Sequence, residues 1–154
     1  MRKMLISFKP DVFNTLISGE KIYEHRRVFP DEPIMAYIYV SRPIQAIAGT
    51  IILDNKTDLQ EWKTKFSYDV DAVHRIDEYL KHHRVVMEIK HFQMTNQLPL
   101  SEIRTVFPNF LIPQMYYYLD GTPLLEYLEE HIQPVGNPIT HAFENITSDM
   151  ICIH

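Results

Sequence analysis

The densest group of chemically capable residues in this chain is Gly19-x-Lys21-x-x-Glu24-x-Arg26-Arg27, preceded by the dipeptide Lys9-Pro10. Side chains on a β-strand alternate between faces. A strand over 21–29 therefore carries Lys21, Tyr23, His25 and Arg27 on one side and Ile22, Glu24, Arg26 and Val28 on the other. Cations interleaved with rings can hold a phosphate and stack a base. A lysine beside a carboxylate can also act in acid–base chemistry when its surroundings tune it. Two structural readings stand beside these. Glu24 and Arg26 lie roughly 7 Å apart at Cα on one strand face, close enough to pair. A charged edge strand also guards a sheet against edge-to-edge association.

Other chemistries find less material. None of the eight histidines makes an H-x-x-x-H or H-E-x-x-H pattern, and His82-His83 reads as a solvated helix end, so no metal or other cofactor is expected. Phosphate loops of the G-x-x-x-x-G-K-[ST] and G-x-G-x-x-G types are absent, as is the G-x-S-x-G elbow of serine hydrolases. Cys152 is the only cysteine and has no basic neighbour in sequence, so it reads as structural.

The elements that must position the charged run follow from periodicity and punctuation. A strand over 4–8 leads into a helix that Pro10 opens and Gly19 closes, with Val12, Phe13, Leu16 and Ile17 on one face. The helix length, about 13 Å, lets the chain turn back at Gly19 so that Lys9, Lys21, Glu24 and Arg26 meet in one cleft. Strands are expected over 34–41 and 46–53, antiparallel to each other, with Gly49 at a bulge or a close approach. Thr57-x-x-Gln60 has the capping-box pattern for a helix bearing Leu59, Trp62 and Phe66. Asp69 or Asp71 caps the next, with Val73, Ile76 and Leu80 inward. A strand over 84–94, a helical turn over 102–106, a tyrosine-rich strand over 115–119 and a helix after Thr122-Pro123 complete the order. Alternation turns at least one of Tyr116, Tyr117 and Tyr118 away from the core, which would suit an interaction surface. The last residues read as loop with a short strand over 150–153. So many adjacent strands exclude a doubly wound parallel sheet and suit an α+β fold.

At 154 residues, with 45% apolar and 23% charged side chains, the chain is expected to be one soluble domain, with no membrane span. A lone cysteine fits a reducing, cytoplasmic setting. The formal net charge of −5 is uneven. Residues 1–29 hold six basic side chains against three acidic ones, and no Lys or Arg follows Arg104. That imbalance points a polyanion toward the N-terminal unit.

The pattern Ser7-x-Lys9-Pro10, Gly19-x-Lys21-x-x-Glu24-x-Arg26-Arg27, then Ser41-x-Pro43 and Gly49, resembles the ASCH domain, a family of the PUA-like superfamily. Phe110-Leu-Ile-Pro113-Gln114-Met-Tyr116 is similar to a proline- and tyrosine-bearing segment late in such domains. The resemblance spans about 4–119, leaving a C-terminal helix and tail over 120–154 within the same domain. It implies a small curved β-barrel of mixed strands with flanking α-helices, and a polar cleft for RNA, single-stranded nucleic acid or a nucleotide-like ligand. Carried over by position, the cleft holds Lys9, Lys21, Glu24 and Arg26 with Ser41. The strand pattern adds Tyr23 and Arg27, with Tyr23 or Tyr39 as the stacking ring. Some relatives hydrolyse N4-acetylcytidine with a lysine followed three residues later by threonine; Glu24 stands at that position here. The alternative is thus a small amidohydrolase acting on a modified nucleoside, with Lys21 and Glu24 as acid–base groups. A closed nucleoside-sized pocket around Lys21 and Glu24 would favour hydrolysis. An open groove continuous with Arg26 and Arg27 would favour binding.

Overall fold

The computed structural model describes residues 1–154 and places seven strands in one mixed sheet with five α-helices around it. In chain order these are β1 (Arg2–Phe8), α1 (Pro10–Ile17), β2 (Tyr23–Arg26), β3 (Ile34–Val40), β4 (Ala46–Asp58), α2 (Leu59–Lys65), α3 (Val70–Leu80), β5 (Val85–Pro99), α4 (Leu100–Val106), β6 (Tyr116–Tyr118), α5 (Pro123–His131) and β7 (Ile139–Thr140). The sheet order is β2-β5-β4-β3-β1-β6, with β7 added to β5. β1 and β3 run parallel; the other pairs are antiparallel.

Curvature comes from the two long strands. β4 and β5 pair with three register shifts, at Ile47/Gly49, Ile52/Leu53 and Asp54/Thr57. Each extra residue bends its strand and adds twist, so the sheet curls into a half-barrel. Gly49 has the close approach its type suggests: a Cβ there would lie 3.0 Å from the Gln93 carbonyl oxygen and 3.3 Å from the Phe13 and Phe92 rings.

Strand alternation sorts the core. Met4, Ile6 and Phe8 of β1 and Ile34, Ala36, Ile38 and Val40 of β3 point inside the curl, where α1 inserts Phe13 and Leu16. Leu5, Tyr37 and Tyr39 point outward under α4 and α5. α2, α3 and the buried tail residues Ile151 and Cys152 cover Tyr23 and Val86 on the remaining face. The three tyrosines of β6 are half-buried and divided between the first two layers, Tyr116 and Tyr118 within and Tyr117 without, so they form no free aromatic surface.

Several boundaries differ from expectation for local reasons. β4 runs on through Thr57, which pairs with Val86, so the cap of α2 is Asp58, whose carboxylate accepts the Gln60 N–H at 2.9 Å. β2 is only four residues long, because Lys21 and Ile22 precede the regular ladder and Arg27 and Val28 follow it. Residues 150–153 form no strand. A 3₁₀ turn over Ser148–Met150 is held by Arg75, which donates to the Ser148 carbonyl at 2.7 Å and the Ile151 carbonyl at 3.3 Å.

Candidate functional site

The two ends of the curl do not hydrogen-bond to each other: β1 pairs β3 and β6, and β2 pairs β5. Where the C-terminal end of β1 faces β2, a cleft of about 650 Å³ opens. Its floor and walls include Lys9, Lys21, Glu24, Arg26 and Arg27.

Local structure explains how residues far apart in sequence meet there. Lys9 is the extended residue before α1, and its carbonyl accepts the Phe13 N–H at 2.9 Å. Pro10 follows at the first helical position, where no N–H is needed. Gly19, at φ +79°, reverses the chain after the helix. Lys21 then donates its backbone N–H to the Thr15 carbonyl at 3.1 Å, which sets β2 alongside the end of β1.

Glu24 is the centre of the charge network. Its Oε1 lies 3.4 Å from Lys21 Nζ and accepts the His25 N–H at 3.1 Å. Its Oε2 accepts from Arg26 Nη2 at 3.1 Å. Lys21 and Glu24 are only 4% and 5% exposed, so their mutual neutralisation is needed for either to be buried. Lys21 donates a further hydrogen bond to the backbone oxygen of His154 at 3.0 Å. The Arg26 guanidinium lies 5.5 Å from the Phe8 ring centroid, and its buried Nε has no partner. Lys9 and Arg27 are exposed at the rim and join neither ion pair.

The face assignment of Lys21 changes as a result. Being outside the ladder, it turns to the Glu24 side rather than sharing a face with Tyr23 and His25. Tyr23 faces away from the cleft, its ring centroid 4.8 Å from Trp62 and 5.3 Å from Phe143. Burial pushes its hydroxyl up to about 12, with the Glu88 carboxylate adding to the effect. Tyr39 is buried under α4 and α5. Neither ring lines this cleft, so neither stacks a base bound in it. Ser41 lies beyond β3, donating its N–H to the Phe8 carbonyl at 3.0 Å, and does not line the cleft.

Three lining residues had no signal in the charged run: Tyr79, His82 and His83, at the end of α3. The Arg84 N–H donates to the Arg26 carbonyl at 3.0 Å, which draws this helix end against β2. His25 stacks edge-on against Tyr79 at 4.5 Å and lies 4.0 Å from the Cys152 sulfur. Burial, with Lys21 and His83 nearby, pulls the His25 imidazole down to about 2. Burial also lowers His83. Both are neutral rings at neutral pH. The Cys152 thiol is pushed up to about 12 by burial and stays an unreactive core group.

A separate concavity of about 520 Å³ lies between α4 and α5, lined by Phe107, Phe110, Leu111, Tyr117 and Leu124 among others. It carries no charged side chain. No three His, Cys, Asp or Glu side chains come together to hold a metal ion, and no helix is long and apolar enough to cross a membrane.

No family model matches the chain, and no curated protein sequence does. Solved structures do. The crystal structure of ASCH from Zymomonas mobilis is similar over 86% of this chain and 96% of its own, at 18% identity and a TM-score of 0.66. A tyrosine-to-phenylalanine mutant of the same protein matches over 86% of this chain and all of its own, also at 18% identity and 0.66. At such identity the likeness speaks to architecture: the chain has an ASCH-type α+β fold.

Proposed function

We propose that this protein binds RNA or another single-stranded nucleic acid through the cleft at the seam of its half-barrel. The observation that carries this reading is the charge of the cleft. Lys9, Lys21, Arg26 and Arg27 face one carboxylate, Glu24, leaving three positive charges in a molecule whose formal net charge is −5. A local positive concavity on an acidic body attracts a polyanion there and repels it elsewhere. Lys21, Glu24, Arg26 and Arg27 line one continuous groove, the arrangement that favours binding over a closed reaction pocket. The ASCH-type fold, associated with RNA binding, supports the same reading.

Hydrolysis of an acylated nucleoside is the second reading, favoured by one observation: a buried lysine in contact with both the Glu24 carboxylate and the backbone oxygen of His154. Yet both Glu24 oxygens are already engaged by Lys21, Arg26 and the His25 N–H, which leaves the carboxylate poorly placed to take a proton.

The test uses a short single-stranded RNA and the double variant Lys9→Ala/Arg27→Ala, since these exposed cations stabilise nothing else. With three or four phosphate partners in this cleft, the wild type is expected to show a log–log salt slope of roughly −2 to −2.8 from it, at about −0.7 per phosphate. The variant should bind more weakly, with a slope shallower by about 1.4. Absence of RNA binding at low salt, or an unchanged slope in the variant, would refute the reading. Turnover of acylated nucleosides by the wild type would then favour the hydrolase.

A further inference from the structure

The seam cleft does not end at Arg27. A second concavity, about 190 Å³, adjoins it and shares three of its residues, Arg27, His82 and His83. Its remaining cations are Lys81 and Arg84, against a single carboxylate, Asp58. Asp58 already accepts the Gln60 N–H as the cap of α2.

The two hollows are joined by backbone geometry. Arg26 pairs with Val85 in the β2–β5 ladder, and the Arg84 N–H bonds to the Arg26 carbonyl. Residues 27 and 84 therefore lie side by side where the ladder ends, about 5 Å being the distance between neighbouring strands. Arg27 and Arg84 are both exposed and form no ion pair. Lys81 pairs only with Glu78, at 2.8 Å, and both are well exposed, so water and a competing phosphate displace that contact cheaply. The cations thus form a path, Lys9 to Arg27 to Arg84 and Lys81. The neutral His83 ring stands at the junction.

A mononucleotide can satisfy only one hollow. Three or more cations spread along a bent path match a chain of phosphates linked at regular intervals. We infer that the ligand is an oligonucleotide strand rather than a free nucleotide, and that its backbone leaves the seam cleft over Arg27 and enters the hollow formed by Lys81 and Arg84. This rests on the nucleic-acid reading above and specifies its ligand.

The experiment measures binding of uridine monophosphate, a uridine trinucleotide and a uridine hexanucleotide to the wild type and to Lys81→Ala/Arg84→Gln. Affinity of the wild type should rise at least tenfold from monophosphate to hexanucleotide. The variant should lose several-fold affinity for the hexanucleotide, with a salt slope shallower by about 1.4, and keep its affinity for the monophosphate. Lys81→Ala alone, at an exposed helix end, provides the same comparison should the double variant fold poorly. Equal wild-type affinity across the series, or a variant that binds the hexanucleotide as well as the wild type, overturns the extended path while leaving the seam cleft intact. Failure of the wild type to bind any of the three overturns both.

Discussion

Glu24 shows how one residue can organise a site without touching a ligand. Removing a side chain from a buried pair leaves its partner as an uncompensated charge, which costs about 3–5 kcal/mol, whereas replacing the pair with apolar groups is often neutral. Here the stranded partner would be Lys21, almost wholly enclosed and left with a single backbone oxygen. Glu24→Ala is therefore expected to lose about 3 kcal/mol in urea unfolding, and Lys21→Met/Glu24→Leu to recover much of that loss. A Glu24→Ala protein as stable as the wild type would mean that Lys21 reaches water more easily than its burial implies. The rim cations behave differently. Lys9 and Arg27 are solvated and unpaired, so their removal should alter binding and leave stability nearly unchanged.

At the scale of elements, α1 and β4 hold the cleft open by what they exclude. Gly49 lets the bent β4 approach the β5 backbone while Phe13 and Phe92 meet edge-to-face at 5.7 Å above it. A methyl group there must move either the β5 backbone or the Phe13 ring. Overpacking of this kind costs about 1–3 kcal/mol. Gly49→Ala should lower the melting temperature by about 2–4 °C for each kcal/mol lost. Because Lys9 is the N-cap residue of the helix that carries Phe13, the same change should weaken RNA binding as well. A Gly49→Ala protein with unaltered melting and binding would show that the ring gives way freely.

For the whole molecule, the buried imidazole ties stability to pH. The His25 ring has its folded pKa pulled from 6.5 to about 2, so between those values the unfolded chain binds a proton that the folded chain does not. The stabilisation is complete above pH 6.5 and is lost as pH falls below it. The slope for one such proton is about 1.4 kcal/mol per pH unit, so lowering the pH from 7 to 5 should cost about 2 kcal/mol through His25. His83 and His141 are lowered in the same direction and add to the trend. Urea titrations at pH 7 and pH 5 on the wild type and His25→Gln check this. The variant should be less sensitive to acid, and an equal pH dependence in both proteins would show that His25 charges within the fold.

Much of this architecture is written in short-range pattern. In β3, alternation puts Ile34, Ala36, Ile38 and Val40 inside and Tyr37 and Tyr39 outside, because a pleated strand can send its side chains in only two directions. A cap of α3 at Asp69 or Asp71, of which Asp69 takes the role, and Thr122-Pro123 opening α5 were legible for the same reason: a cap is satisfied by atoms two or three residues away. The Lys-Pro and Gly-x-Lys-x-x-Glu-x-Arg residues marked the chemistry, since helix, glycine reversal and strand are consecutive. Tertiary structure decided the rest. Which ring a base can reach depended on Trp62 and Phe143 closing over Tyr23, contacts made across long stretches of chain. Lys21 joined Glu24 because the ladder begins two residues later than its composition suggests. The end of α3 entered the cleft through one bond from Arg84 to Arg26, residues separated in sequence by β3, β4, α2 and α3. Alternation and caps are local and repeat along any sequence. A seam exists only once a curled sheet fails to close, and its wall is assembled from elements that sequence spacing does not relate.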